Sequence, residues 1–185
     1  VVGKKGTAAS KSVVALIVKH GERQALCTGT LIGKNSVLTA AHCVDGNPSF
    51  LAIVFNKDLS QSQESDRRVA DAYAQHPRWR NPGEEGRGDL ALVHFHGETP
   101  AGYHPVSLAP TDLTLTPGNK ITLVGYGVDD GLHETGSGIL RYTKTEVLRQ
   151  HSSTEVLFDG RSSGVCFGDS GGPVFIRHKN KLVQW

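Results

Sequence analysis

Methionine is absent from the 185-residue chain, so Val1 is not a translation start and the expectation is that a leader has been removed. No stretch reads as a signal peptide. Apolar runs are short: the longest, residues 13–18, falls far below the ~20 residues needed to span a bilayer, which points to a soluble protein. Neither sign of charge dominates, with 20 Lys+Arg against 18 Asp+Glu and a net charge of +2. Without a basic block there is no electrostatic footprint for nucleic acid or for an anionic membrane. Cysteine is scarce and odd in number, three in all, which leaves one thiol over once a pair has formed. Glycine is what the chain has in excess, 22 residues or about 12% against roughly 7% in average usage, and it favours turns over helices.

The length suits one large domain or two small ones. Short segments rich in Val, Ile, Leu, Thr and aromatic residues alternate with turn clusters, the pattern of many short strands. Six are predicted in the first half, over residues 13–18, 24–32, 36–40, 50–55, 69–73 and 90–95. Five follow, over residues 120–126, 139–148, 155–158, 173–176 and 181–185. Between them, residues 97–118 carry Pro100, Pro105, Pro110 and Pro117, which cannot donate to a ladder, so this stretch reads as a connection between two β units. The polar runs 56–68 and 81–88 read as solvated loops. The acidic pairs Glu84-Glu85 and Asp129-Asp130 read as solvated loop charges. His94 and His96 share a strand face without a third ligand at metal spacing, so they read as strand decoration. Trp79 and Trp185 read as packing residues.

Chemistry is concentrated in three segments. In Gly168-Asp169-Ser170-Gly171-Gly172-Pro173 a serine stands among glycines, where backbone amides can approach a bound oxygen unhindered. The spacing also matches the nucleophile elbow of α/β-hydrolases, but no acid follows Ser170 in the chain and the only later histidine is His178. A serine hydroxyl needs a base in reach, and upstream lies Thr39-Ala40-Ala41-His42-Cys43. A disulfide between Cys27 and Cys43 would close a hairpin-sized loop and fix the base of the histidine, stabilising by roughly 3 kcal/mol on the chain-entropy model. The third segment, Asp89-Leu90-Ala91-Leu92-Val93, sets a carboxylate at the mouth of an apolar strand, where it needs a partner and could hold an imidazole tautomer.

Together and in this order, "TAAHC", "DLALV" and "GDSGGP" resemble the motifs of the chymotrypsin-like (trypsin-like) serine peptidases. Val1-Val2-Gly3 resembles the amino terminus that zymogen cleavage releases, His76-Pro77-x-Trp79 a recurrent loop, and Gly125-Tyr126-Gly127 a strand end of the second barrel. The resemblance implies an all-β fold of two antiparallel six-stranded barrels within one peptidase domain, residues 12–99 and 118–185, with the active site in the cleft between them. It implies Ser170 as nucleophile, His42 as general base and then acid, and Asp89 as the orienting carboxylate. The N–H groups of Gly168 and Ser170 would form the oxyanion hole, and Asp169 would pair with the α-amino group of Val1. The partners expected are protein or peptide substrates and a protein inhibitor, for a secreted monomer that needs no metal and no cofactor.

Two positions depart from the family pattern. Lys4 stands where a second glycine is usual. At the base of the primary specificity pocket the chain has Gly164, which carries no charge, so with Val165 beside it the expected pocket is apolar rather than basic-specific. Phe167 is placed at its rim. The alternative function is a non-catalytic homologue acting as a binding or regulatory module. Against the size of such two-barrel proteins the chain looks short by roughly 40 to 50 residues. Five strands against six and the unpaired Cys166 agree with an incomplete second barrel.

Overall fold

The computed structural model describes residues 3–5, 8–79, 88–152, 155–160 and 164–185. Thirteen strands lie within them: β1 (Lys4–Lys5), β2 (Val13–His20), β3 (Arg23–Gly33), β4 (Ser36–Thr39), β5 (Phe50–Val54), β6 (Arg67–Gln75), β7 (Ala91–Phe95), β8 (Ser107–Leu108), β9 (Lys120–Gly125), β10 (Arg141–Gln150), β11 (Val156–Phe158), β12 (Val174–His178) and β13 (Lys181–Gln184). No described helix is long and apolar enough to cross a membrane.

The first six long strands close a barrel in the order β2-β3-β4-β7-β6-β5. Along β7 the pattern is strictly alternating, with Ala91, Val93 and Phe95 buried and Leu92 and His94 outside, as a half-solvated antiparallel strand requires. β2 is different because both of its faces are covered. Val14, Leu16 and Val18 point into the barrel core with Leu31, Ile53 and Phe95. Val13 and Ala15 face the other way, into a second cluster with Tyr126, Leu140 and Phe175. The uninterrupted apolar run is thus the seam between the two β units. Burying each large side chain of this kind is worth roughly 1.5–3 kcal/mol. At the seam the Tyr126 hydroxyl donates to Asn56 O (2.8 Å), and its burial raises the phenol pKa well above its ordinary value.

The second unit is also built of β-strands, in line with the all-β fold expected. Its strands run β1-β10-β9-β12-β13-β8, with β11 on the side of β10, and β13 pairs with β8 in parallel. The sheet is therefore mixed. β8 comes from the 97–118 connection, whose chain passes β13 in the same direction, and two residues are too few to show a period in sequence. The polar run 56–68 is not all loop either. It holds 3-10 turns at Leu59–Gln61 and Glu64–Asp66, and β6 starts at Arg67 because the ladder to Ile53 and Val54 continues there.

Candidate active site

β4 and β7 are antiparallel neighbours whose register ends at Thr39↔Ala91. The chain leaving β4 therefore lies opposite the chain entering β7, which sets His42, three residues beyond Thr39, against Asp89, two before Ala91. His42 rides on the 3-10 turn Ala41–Val44. The Cys27–Cys43 disulfide anchors that turn to β3.

The Asp89 carboxylate grips this turn twice. One oxygen accepts the His42 backbone N–H at 2.9 Å and the other lies 2.8 Å from His42 Nδ1. Because a carboxylate only accepts, Nδ1 is the donor in this contact, which leaves Nε2 clear of it. Both side chains are partly open to solvent, His42 at 43% and Asp89 at 37%. The sulfurs of Cys27 and Cys43 lie within 4.8 Å of a His42 nitrogen, but as disulfide sulfurs they offer no thiolate to a metal.

Ser170 reaches the same place from the second unit. Its carbonyl accepts the Thr28 N–H at 2.9 Å and lies 3.8 Å from Cys43 Sγ. The Thr28 hydroxyl donates to Gly168 O (2.8 Å) and accepts the Tyr126 N–H (3.1 Å). At Gly171, with φ +77°, a Cβ would collide with Thr39 Oγ1, Thr28 O and Ala40 N, so only glycine lets the Ser170 loop seat against the segment before His42. No hydrogen bond joins Ser170 Oγ to His42 among the described residues.

The neighbouring peptide groups have a definite direction. Phe167 C=O accepts the Val128 N–H at 2.9 Å, and Asp169 C=O accepts the Gly172 N–H at 2.9 Å. A planar trans peptide points its N–H away from its C=O, so the Gly168 and Ser170 N–H groups face away from these acceptors. Neither has a hydrogen-bond acceptor among the described residues. Asp169 is buried, 7% exposed, and its oxygens accept the Gly127 N–H (2.8 Å) and the Cys166 N–H (2.9 Å). Side chains at residues 125 and 127 would occupy the space of that carboxylate. Val1 lies outside the described residues, as do Glu84 and Glu85.

A cleft of about 480 Å³ opens beside Ser170, walled by Leu123, Phe158, Val165, Phe167, Pro173 and Val174 among others. Phe167 is 71% exposed at its edge. Gly164 stands outside that wall, where a Cβ would meet only Gly160 O at 3.9 Å. Asp45 and Gly46, just beyond the histidine turn, line a separate cavity of about 510 Å³ with His20 and Arg23.

The "Trypsin" family model matches residues 1–184. The chain belongs to the trypsin family. Within it, the chain is 28% identical to human Kallikrein-8 over 82% of its own length and 63% of that protein's. It is 29% identical to Chymotrypsin-like elastase family member 1 of Felis catus, over 80% of this chain and 61% of that protein. To Chymotrypsin of Phaedon cochleariae the identity is 27%, over 88% and 63%. The chain therefore spans about three fifths of the length of these trypsin-family relatives.

Several residues that shape the site carried no sequence signal. Thr28, which struts the Ser170 loop, sits in its strand as an unremarkable β-former, whereas Thr39 opens the histidine motif. Phe158 lies in a short strand far from any motif. Asp129 and Asp130 are not free loop charges, for Asp129 pairs with the buried Arg141 at 2.8 Å and Asp130 with His133 at 2.7 Å. His94 pairs with Asp71 at 2.6 Å.

Proposed function

We propose that the protein is a secreted serine endopeptidase that cleaves peptide bonds through an acyl-enzyme. The observation that carries this reading is the double grip of Asp89 on His42, which orients Nε2 as a base beside the loop that brings Ser170. In this reading Ser170 Oγ attacks the scissile carbonyl carbon as His42 Nε2 takes its proton. The C–O bond forms and the carbonyl oxygen becomes an oxyanion, held by the N–H groups of Gly168 and Ser170. Each such donor is worth roughly 3 kcal/mol in the transition state. The imidazolium then protonates the leaving amine as the C–N bond breaks. Water, deprotonated by the same histidine, releases the acid and restores Ser170. Asp89 stabilises the imidazolium throughout without itself taking the proton.

The apolar wall of the cleft supports a preference for an apolar side chain on the acyl side. Asp169 is read as the acceptor of the Val1 amino group, an ion pair that orders the loop. The disulfide supports an oxidising, extracellular location. Fluorophosphonate treatment followed by mass spectrometry tests the reading: label on Ser170 that vanishes in His42→Ala supports it. Folded protein that takes up no label is instead a non-catalytic binding module.

A further inference from the structure

Arg141 is a deeply buried charged side chain of the second unit, 6% exposed, and it contributes nothing to the chemistry above. Both terminal nitrogens of its guanidinium nonetheless have partners. Nη2 meets Asp129 Oδ2 at 2.8 Å, and Nη1 donates to Gly136 O (2.5 Å) and Ile139 O (3.4 Å). These acceptors come from the two limbs of one loop, residues 128–139. Asp129 N–H and Asp130 N–H both reach Thr135 O (3.1 and 3.4 Å), and Gly138 N–H closes the base on Tyr126 O at 2.7 Å. At Gly136, φ +80°, a Cβ would fall on the Asp129 carboxylate, so the limbs close tightly around the ion pair.

One end of this clamped loop is Val128, whose N–H donates to Phe167 O at 2.9 Å. That bond sets the direction of the Phe167–Gly168 peptide, because its N–H must point opposite to its C=O. The loop also packs on the same segment through Gly131, where a Cβ would lie 3.4 Å from Cys166 Sγ.

We infer that Arg141, through Asp129, is a positioning residue for the Gly168 N–H: the charged clamp holds Val128 where it keeps the Phe167 carbonyl turned away from the site. This rests on the peptidase reading, and it adds a residue that acts through the backbone at no direct contact with substrate. Loosening the clamp frees the peptide to rotate, which removes an oxyanion donor and leaves ground-state binding in place.

The test compares wild type with Asp129→Asn, Arg141→Met and Arg141→Lys. Asp129 is the half-exposed partner, so its variant keeps the experiment decisive even where Arg141→Met does not fold. For a peptide ester, Asp129→Asn is expected to lower kcat about 10-fold with KM within about 2-fold, on the scale of a weakened oxyanion donor. Hydrogen-exchange protection of the Val128 amide should fall with it, while amides of β2 keep theirs. Arg141→Lys retains the charge but not the planar fork, so it should recover thermal stability more fully than kcat. Unchanged kcat and unchanged Val128 exchange in Asp129→Asn overturn the inference and leave the peptidase reading intact. A wild-type chain that neither turns over substrate nor takes up fluorophosphonate removes the reading, and the inference falls with it.

Discussion

The backbone N–H of Thr28 donates to the carbonyl of Ser170 at 2.9 Å. The residue before Thr28 is Cys27, whose disulfide to Cys43 anchors the turn carrying His42. One strand of the first barrel therefore positions both the histidine turn and the serine loop of the second unit, which are 128 residues apart in the chain (170 − 42).

Thr28 and Thr30 are both fully buried yet should respond oppositely to loss of the hydroxyl. Thr28→Val strips a partner from both Gly168 O and the Tyr126 N–H, and leaving such buried groups unpaired costs about 1–3 kcal/mol. Thr30 Oγ1 has no hydrogen-bond partner among the described residues, so Thr30→Val is expected to be neutral or stabilising. Urea unfolding of the two variants checks the contrast; equal losses would contradict it.

Asp89→Asn keeps the size of the side chain but lets its amide donate, which favours the wrong imidazole tautomer. By analogy with other triads kcat should drop about 10⁴-fold, and Ser170→Ala about 10⁶-fold, with folding retained in both. Steady-state kinetics on a peptide ester decide this, and a loss of only a few-fold in either variant would remove that residue from its role.

Removing the Cys27–Cys43 bridge with the Cys27→Ala/Cys43→Ala pair should cost roughly 3 kcal/mol for a loop of this size. Because the bridge also holds the histidine turn, residual activity at a temperature where the variant is still folded should fall as well. Wild-type activity in folded double variant would show that Asp89 alone suffices to place His42.

Hydrogen bonds hold four aspartates below the ordinary carboxylate range: Asp58 through Ser60, Asp66 through Gln63, Asp71 through His94, and Asp130 through His133. A carboxyl with a lower pKa in the folded state adds stability above its unfolded value, and that stability is lost as pH falls through the folded value. The contribution of these groups should thus decline below about pH 4. Asp71→Asn/Asp130→Asn should show a shallower acid dependence of the urea midpoint than wild type; superimposable curves would contradict the assignment.

On the alkaline side the sign reverses. Burial pushes the Tyr103 phenol up to about 12, so its contribution is present below its unfolded value near 10 and is lost as pH rises through about 12. Ultraviolet titration should find Tyr103 still largely neutral when folded protein is held at about pH 11. Ionisation of all 4 tyrosines near pH 10 in folded protein would refute this.

Eleven strands were legible because their apolar periods are long enough to read, as in the alternation of 91–95 and the unbroken run of 13–18. The two-residue strands Lys4–Lys5 and Ser107–Leu108 were not, for their pairing depends on partners elsewhere in the chain. Ser107–Leu108 also adds the one parallel pairing among the described strands of the second sheet. The same divide runs through the site. His42, Asp89 and Ser170 stand in compact motifs, and the roles proposed for them can be read there from residue type alone. Thr28, Phe158, Asp129 and Arg141 belong to no motif, and only their neighbours in space give them a task.

What the sequence determined by itself is local: strand periods, the glycines that admit a tight Ser170 loop, the cysteine beside the histidine, and the family to which these motifs belong. Direction was decided only in the tertiary structure. The Thr39↔Ala91 register turns Asp89 onto His42. The Val128 bond turns the Phe167 carbonyl towards Val128 and away from the site, and the Arg141 fork gathers a loop whose charges look solvated in the sequence. The first two depend on hydrogen bonds between segments far apart in the chain, whose partners are specified by packing and not by any local pattern of residues.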